Sequence, residues 1–371
     1  MLIEKINLVL NDKVAYGTLE IKDNLITKIT ILGPENKDAN YLVPGFIDEH
    51  IHGSNNYDAM DQDSRAIIEI KNNLVKYGVT SFFPTTMSEP LNNIEKAINN
   101  IRLAKNDPSG ARIIGVNVEG PFLAREYCGA QDPKNIIDID FNFLNKVNYD
   151  KIIKIMTVSP NIKNYDKLVD FARKDHFELS IGHTNANYSE ASHALDLGVK
   201  LFTHAYNAMQ KFHHRDIGTV GAMLLDNNSY AELILDLIHV SVPAAQLLIK
   251  NKGLDKIILI TDAMRAQGLA NGITSHLGGQ KVFINNNEAR LKDGTLAGSI
   301  ITYDQLFRNA HFKLGLSLPD CVKITATNQA RLHKLEQFGE IKTGYLADLV
   351  ILDQDLKVLK TIKEGSVVYE I

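Results

Sequence analysis

The sequence predicts an α/β protein: a closed (β/α)8 TIM barrel with a small β-lobe built from both chain termini. Three observations carry this expectation. Apolar runs of five to eight residues recur through the middle of the chain, helical-looking segments separate them, and both ends instead read as short strands joined by turns. Alternating strand and helix implies a parallel sheet, and eight runs without an obvious reversal imply closure into a barrel. A doubly wound open sheet is the rival. Its dinucleotide-binding version needs a GxGxxG turn after an early strand, and the chain has neither that turn nor a P-loop.

In chain order, the first 40 or so residues alternate apolar and polar positions, with turns at "LNDK", "KDN" and "GPEN". The barrel strands follow as "GFIDEHIH", "TSFFPTT", "RIIGVNVEG", "IIKIMTVSP", "ELSIGHT", "LFTHAYN", "ELILDLIH" and "IILITDA". Between them, segments such as "SRAIIEIKNNLVKYG" and "NYSEASHALDLG" carry helical spacing and a glycine near the end. The tail "GEIKTGYLADLVILDQDLKVLKTIKEGSVVYEI" holds three β-like runs. The expected boundaries are 1–44 and 336–371 for the β-lobe and 45–335 for the barrel, with a strand-like insert at about 275–297 free to join the lobe.

Composition narrows the function. The net charge is −4 and the basic residues are scattered, which argues against a nucleic-acid groove or a membrane-binding surface. The cysteines Cys128 and Cys321 are far apart and form no CxxC, as expected of reduced thiols in a cytoplasmic protein. The N-terminus lacks the apolar core of a signal peptide. "AELILDLIHVSVPAAQLLIK" is interrupted by Asp236, His239 and Pro243 and is too polar to span a membrane.

The chemistry is placed by position. Most apolar runs end in a polar residue able to do chemistry: His50 and His52, Glu119, His183, His204, His239 and Asp262. In a barrel the C-terminal strand ends share one face, so these residues converge on one pocket. Taken singly, His50 and His52 read equally well as core or surface histidines, and His183 and His204 read more readily as capping or core residues than as ligands. A carboxylate ending an apolar strand, as in "NVEGP" and "ILITDAM", is costly without a partner. Imidazole and carboxylate donors suit zinc or iron(II). Glu119, His183 and His204 would hold one divalent metal with a position left for water, His50 and His52 a second ion bridged by Glu119, and Asp262 would act as the base.

These residues lie in motifs that resemble a known family. "VPGFIDEHIHG" and "GEIKTGYLADLVILD" look like signatures of the amidohydrolase superfamily. Within it, "VEGPFL", "CGAQ", "GHT", "THAYNAM", "HHRDIGTVGA", "ITDAM" and "DGTLAGS", in that order, resemble the N-acetylglucosamine-6-phosphate deacetylase family. The motifs run from about residue 43 to 353. The resemblance implies a metal-dependent barrel flanked by a β-sandwich, acting in amino-sugar catabolism to convert N-acetyl-D-glucosamine 6-phosphate into glucosamine 6-phosphate and acetate. It implies Glu119, His183 and His204 as ligands of the main metal and Asp262 as the catalytic acid/base. Substrate contacts are implied from Ala130, Gln131, Asn207, Ala208, Arg215, His239, Leu296, Ala297 and Gly298. Arg215, in the "HHR" turn, is implied to reach a phosphate in the neighbouring subunit of a homodimer.

Two departures stand out. Some relatives lack the HxH pair and have histidine at the position of Gln131, whereas here glutamine accompanies an intact His50–Ile51–His52. The Asp-Gly-x-His pattern usual in the family reads Asp236-Leu237-Ile238-His239, with leucine in the place of glycine. The alternatives are another amide or cyclic-imide hydrolase of the same superfamily, or a non-catalytic scaffold of the same fold.

Overall fold

A computed structural model describes residues 1–371. Eight strands form a parallel sheet in chain order: Phe46–Ile51, Val79–Thr86, Val116–Glu119, Ile153–Val158, Glu178–Ile181, Leu201–Phe202, Tyr230–Leu233 and Ile257–Leu259. Every residue of the first two is buried. Strands covered on both faces need apolar side chains on both, which is why they read as unbroken runs.

The seam between the first and eighth strands closes at their C-terminal ends. Asp262 N donates to His50 O at 2.9 Å, and His52 N to Ala263 O at 2.9 Å. Lower down, side chains bridge the gap: the Thr261 hydroxyl donates to Asp48 at 2.6 Å, and the Tyr303 hydroxyl lies 3.0 and 2.8 Å from the carbonyls of Ile47 and Leu259. The expected barrel is present.

Helices cover the outside as their spacing dictates. Ser64–Leu74 is capped by Asp63, which accepts from Arg65 N, and it buries Ala66, Ile67, Ile70 and Leu74. The following turn ends on Gly78 at φ +80°, where a Cβ would lie 2.7 Å from the Phe46 ring. The main core lies between strands and helices and includes Phe46, Phe82, Ile94, Leu248 and Phe307. A second core fills the base of the barrel with Ile47, Phe83, Ile155, Leu201 and Ile258.

The termini share one seven-stranded sheet, in the order Ser366–Glu370, Val358–Lys363, Leu349–Leu352, Tyr41–Pro44, Leu2–Val9, Val14–Lys22, Leu25–Pro34. Its far end curls back: Ile26 N donates to Tyr345 O and Ala347 N to Asn24 O, both at 2.8 Å. The curl encloses Leu8, Leu19, Ile26, Leu42, Leu349 and Ile362. The strand-like insert does not extend this sheet. Thr274–Leu277, Gln280–Asn285 and Glu288–Arg290 pair among themselves. Leu277, Val282, Ile284 and Ala289 bury into the barrel core, and Gln280 Nε2 donates to Ala130 O at 2.6 Å. Apolar burial thus holds the insert against the barrel mouth.

Candidate active site

The strand ends deliver their polar residues to one place. Four imidazoles share one arrangement, with Nδ1 tethered to a fixed acceptor. His50 Nδ1 lies 3.1 Å from Glu232 Oε2, His52 Nδ1 3.2 Å from Thr85 O, His183 Nδ1 2.9 Å from Tyr127 O, and His204 Nδ1 3.2 Å from Asn207 O. The four Nε2 atoms are thereby turned toward Glu119. Its Oε1 is 3.1 Å from His183 Nε2, 3.1 Å from His204 Nε2 and 3.4 Å from His50 Nε2, while Oε2 is 3.3 Å from His52 Nε2. Asp262 Oδ1 lies 3.5 and 3.3 Å from His50 and His52 Nε2.

This donor set fits a cation. With Nδ1–H donated outward, each neutral ring aims a lone pair inward, yet the Nε2 atoms of His183 and His204 face each other at 3.0 Å. Only positive charge between them relieves that contact. The donor atoms of Glu119, His183 and His204 all lie within 4.8 Å of one another, as do those of His50, His52 and Glu119. All five residues are buried. The titration behaviour says the same. Burial opposes ionisation of Glu119, but His183 and His50 hold its carboxyl well below the usual range. Burial likewise opposes charge on His52, yet Asp262 and Glu119 push it up to about 9. Asp262, beside His50 and His52, is lowered against its burial.

Three strand-end residues hold left-handed backbone: His183 at φ +46°, His204 at +30° and Asp262 at +46°. Non-glycine residues adopt this conformation only where their surroundings enforce it, and such strain concentrates at functional sites.

A cavity of about 350 Å³ opens above the cluster. Of the residues singled out in the sequence, His52, Glu119, Ala130, Gln131, His183, His204, Asn207, Ala208, His239, Asp262, Leu296 and Gly298 line it. His50 lies behind them, fully buried, and Ala297 is buried outside the lining. Arg215 is not brought into the cavity. It sits on an exposed turn with Nη1 2.9 Å from His214 Nε2. Gln131 has little freedom: its Nε2 donates to Glu119 Oε2 and its Oε1 accepts from Ser88 N, both at 2.6 Å. Leu237, where the family pattern expects glycine, takes a left-handed conformation at φ +68°, and His239 still reaches the cavity, with Nδ1 2.6 Å from Asp236 Oδ2.

Sequence reasoning missed Glu232. It is fully buried, and its Oε2 takes both His50 Nδ1 and the backbone N–H of His204, each at 3.1 Å, so one carboxylate ties together the two halves of the cluster. The available signal was an acid within the apolar run "AELIL". Lys211, Tyr127 and Thr295 also line the cavity and carried no signal.

Comparison with known proteins agrees with this geometry. The model of the amidohydrolase family matches residues 41–368. The N-acetylglucosamine-6-phosphate deacetylase of Lysinibacillus sphaericus is 39% identical over 88% of this chain and 85% of its own length. The crystal structure of N-acetylglucosamine-6-phosphate deacetylase from Thermotoga maritima superposes with a TM-score of 0.93 at 34% identity, covering 100% of both chains. An aspartate-to-alanine mutant of the Mycobacterium smegmatis enzyme, in complex with N-acetyl-D-glucosamine 6-phosphate, superposes with a TM-score of 0.93 at 26% identity over 99% of each chain. By fold, site and sequence the chain belongs to the amidohydrolase family, among its N-acetylglucosamine-6-phosphate deacetylases.

Proposed function

We propose that this chain hydrolyses the acetamide of N-acetyl-D-glucosamine 6-phosphate to glucosamine 6-phosphate and acetate, as a step of amino-sugar catabolism. One observation carries the reading: four imidazoles with tethered Nδ1 converge on Glu119, beside a cavity-facing carboxylate, at the mouth of the barrel. Glu119, His183 and His204 hold one divalent ion, zinc or iron, and His50, His52 and Glu119 a second. Ions bound there supply Lewis acidity to the acetyl carbonyl and make the attacking water more acidic.

The remaining work falls to the chain's own groups. Asp262 lies beside His50 and His52 and faces the cavity. It takes a proton from the attacking water as the new C–O bond forms at the acetyl carbon. It then gives that proton to the amine nitrogen as the C–N bond breaks. Gln131 fixes the orientation of Glu119. Asn207, Ala208 and His239 border the space for the sugar phosphate, with Ala130, Leu296 and Gly298 on its other walls.

Arg215 completes the phosphate site of a second copy, so the functional unit is a homodimer. An exposed apolar patch supports this pairing: Phe212, Leu225 and Leu247 are 58%, 61% and 50% accessible, and they border a largely apolar hollow whose lining residues Phe212 and Ile217 flank Arg215 in sequence. No helix is long and apolar enough to cross a membrane, and both cysteines are free. These features support a cytoplasmic location.

The test is acetate release by metal-quantified protein from N-acetylglucosamine 6-phosphate and, in parallel, from N-acetylglucosamine. Release confined to the phosphorylated sugar, at about two ions per chain, is the expected result. Release at one ion per chain keeps the reaction and removes the second ion. No release from a metal-replete sample overturns the assignment.

A further inference from the structure

A second sizeable cavity lies at the end of the barrel opposite the catalytic one. It encloses about 720 Å³ and opens where the strands begin: Lys154, Glu178 and Lys200 come from the entries to the fourth, fifth and sixth barrel strands. Its floor is apolar, formed by Val169, Phe177, Leu179, Val199, Leu332 and Leu335. Its rim is cationic, with Lys154, Arg173, Lys200 and Lys334 against a single carboxylate, Glu178. Arg173 pairs with Asp170 at 3.0 Å, but Lys154, Lys200 and Lys334 have no carboxylate within 4 Å. A neighbouring hollow shares Lys200, Lys334 and Glu178 and adds Lys256, Arg331 and Asp226. In a chain of net charge −4, unpaired ammonium groups are thus gathered around one opening.

A second observation is independent of the rim. The His333 side chain lines this cavity but is only 5% exposed. Its Nε2 is 2.9 Å from Glu49 Oε2 inside the barrel, and its ring packs on Phe83 at 4.7 Å. Nδ1 has no hydrogen-bond partner in the chain. With Nε2 held by Glu49, Nδ1 is the ring atom left for a ligand, and it borders a space large enough for one. The Lys334 backbone is held at φ +53°, in a helix-ending turn where Leu335 N donates to Ala330 O at 2.8 Å. Glycine ordinarily fills that position.

We propose that this basal cavity binds a phosphate monoester of nucleotide size, with its phosphate on the Lys154, Lys200 and Lys334 rim and its body on the apolar floor beside His333. The site is separate from the catalytic phosphate position, since the two cavities share no residue. Adenosine monophosphate is the probe, with adenosine as the uncharged control, titrated calorimetrically into the metal-loaded protein. The expected result is saturable binding of the monophosphate that is at least tenfold tighter than that of adenosine. A double variant, Lys200→Glu with Lys334→Glu, should lose at least tenfold in that affinity while retaining wild-type deacetylation, and Arg215→Ala should keep it. No saturable binding overturns the proposal. So does affinity that survives the double charge reversal, or that disappears with Arg215→Ala, because the probe would then be reading the catalytic cavity.

Discussion

Each imidazole at the barrel mouth has one nitrogen tied to the protein and one left for the cluster centre, and the tie to His50 is a carboxylate. Glu232 raises the basicity of that ring and fixes its orientation. Glu232→Gln keeps an acceptor but removes the charge. Metal affinity, measured by competition with a graded chelator, should fall by about 10–100-fold. Unchanged affinity would mean that packing alone holds His50. Asp262→Asn tests a different role. Turnover should drop by roughly 10²–10⁴-fold, with metal content near that of the wild type, as for loss of general acid–base catalysis. Loss of metal alongside activity would assign Asp262 to the metal cage instead. Most of this cluster was legible because a histidine or acid ending an apolar run is costly unless partnered, and several such endings at one barrel face share a single explanation. Glu232 was not legible, because it sits within its run and the atoms that satisfy it come from strands far away in sequence. The left-handed backbone at His183, His204 and Asp262 leaves no mark on residue type at all.

At the scale of elements, the barrel strands were readable because burial on both faces demands continuous apolar runs, and the helices because their buried face repeats at helical spacing. The seam was not. Closure between the first and eighth strands depends on Asp48, Thr261 and Tyr303, whose roles follow from ring geometry rather than from local pattern. The insert is a related case: its alternation announces strands, but only tertiary burial decides which sheet they serve. The helix Val242–Lys252 carries a further cost. Its last residue buries an ammonium group that donates to Asp226 O and to Ser229 Oγ, the latter at 2.9 Å. Burial lowers this lysine to about 8. Between that pH and about 10.4 the unfolded chain keeps a proton that the folded chain has released, so this residue's contribution to stability rises with pH across the window and is flat below it. The stability difference between wild type and Lys252→Met, from urea titrations at several pH values, should therefore shift in favour of the wild type from pH 8 upward. A flat difference would mean that the ammonium group stays charged in the folded chain.

At the scale of the whole molecule, the proposed dimer makes a prediction that neither chain alone can meet. If each site takes Asp262 from one chain and Arg215 from the other, Asp262→Asn and Arg215→Ala are inactive for complementary reasons. Unfolded together and refolded as a mixture, they should recover roughly a quarter of wild-type activity, since half of the dimers are mixed and each of those has one complete site. No recovery would place Arg215 in the site of its own chain. The apolar patch at Phe212, Leu225 and Leu247 was not readable from sequence, because an apolar side chain on a turn or a helix reads the same whether it faces a core or a partner.

The terminal sheet also sets the order in which the molecule can be completed as it is made. Tyr41–Pro44 lies between Leu2–Val9 and Leu349–Leu352, so one of its edges waits for a strand that leaves the ribosome roughly 300 residues later, about 15–60 s at ordinary rates of synthesis. During that interval the N-terminal strands present an open apolar edge of the kind that templates aggregation. The nascent chain is therefore most exposed to chaperone capture before its last strands arrive, and a truncation ahead of Leu349 removes far more than a peripheral tail.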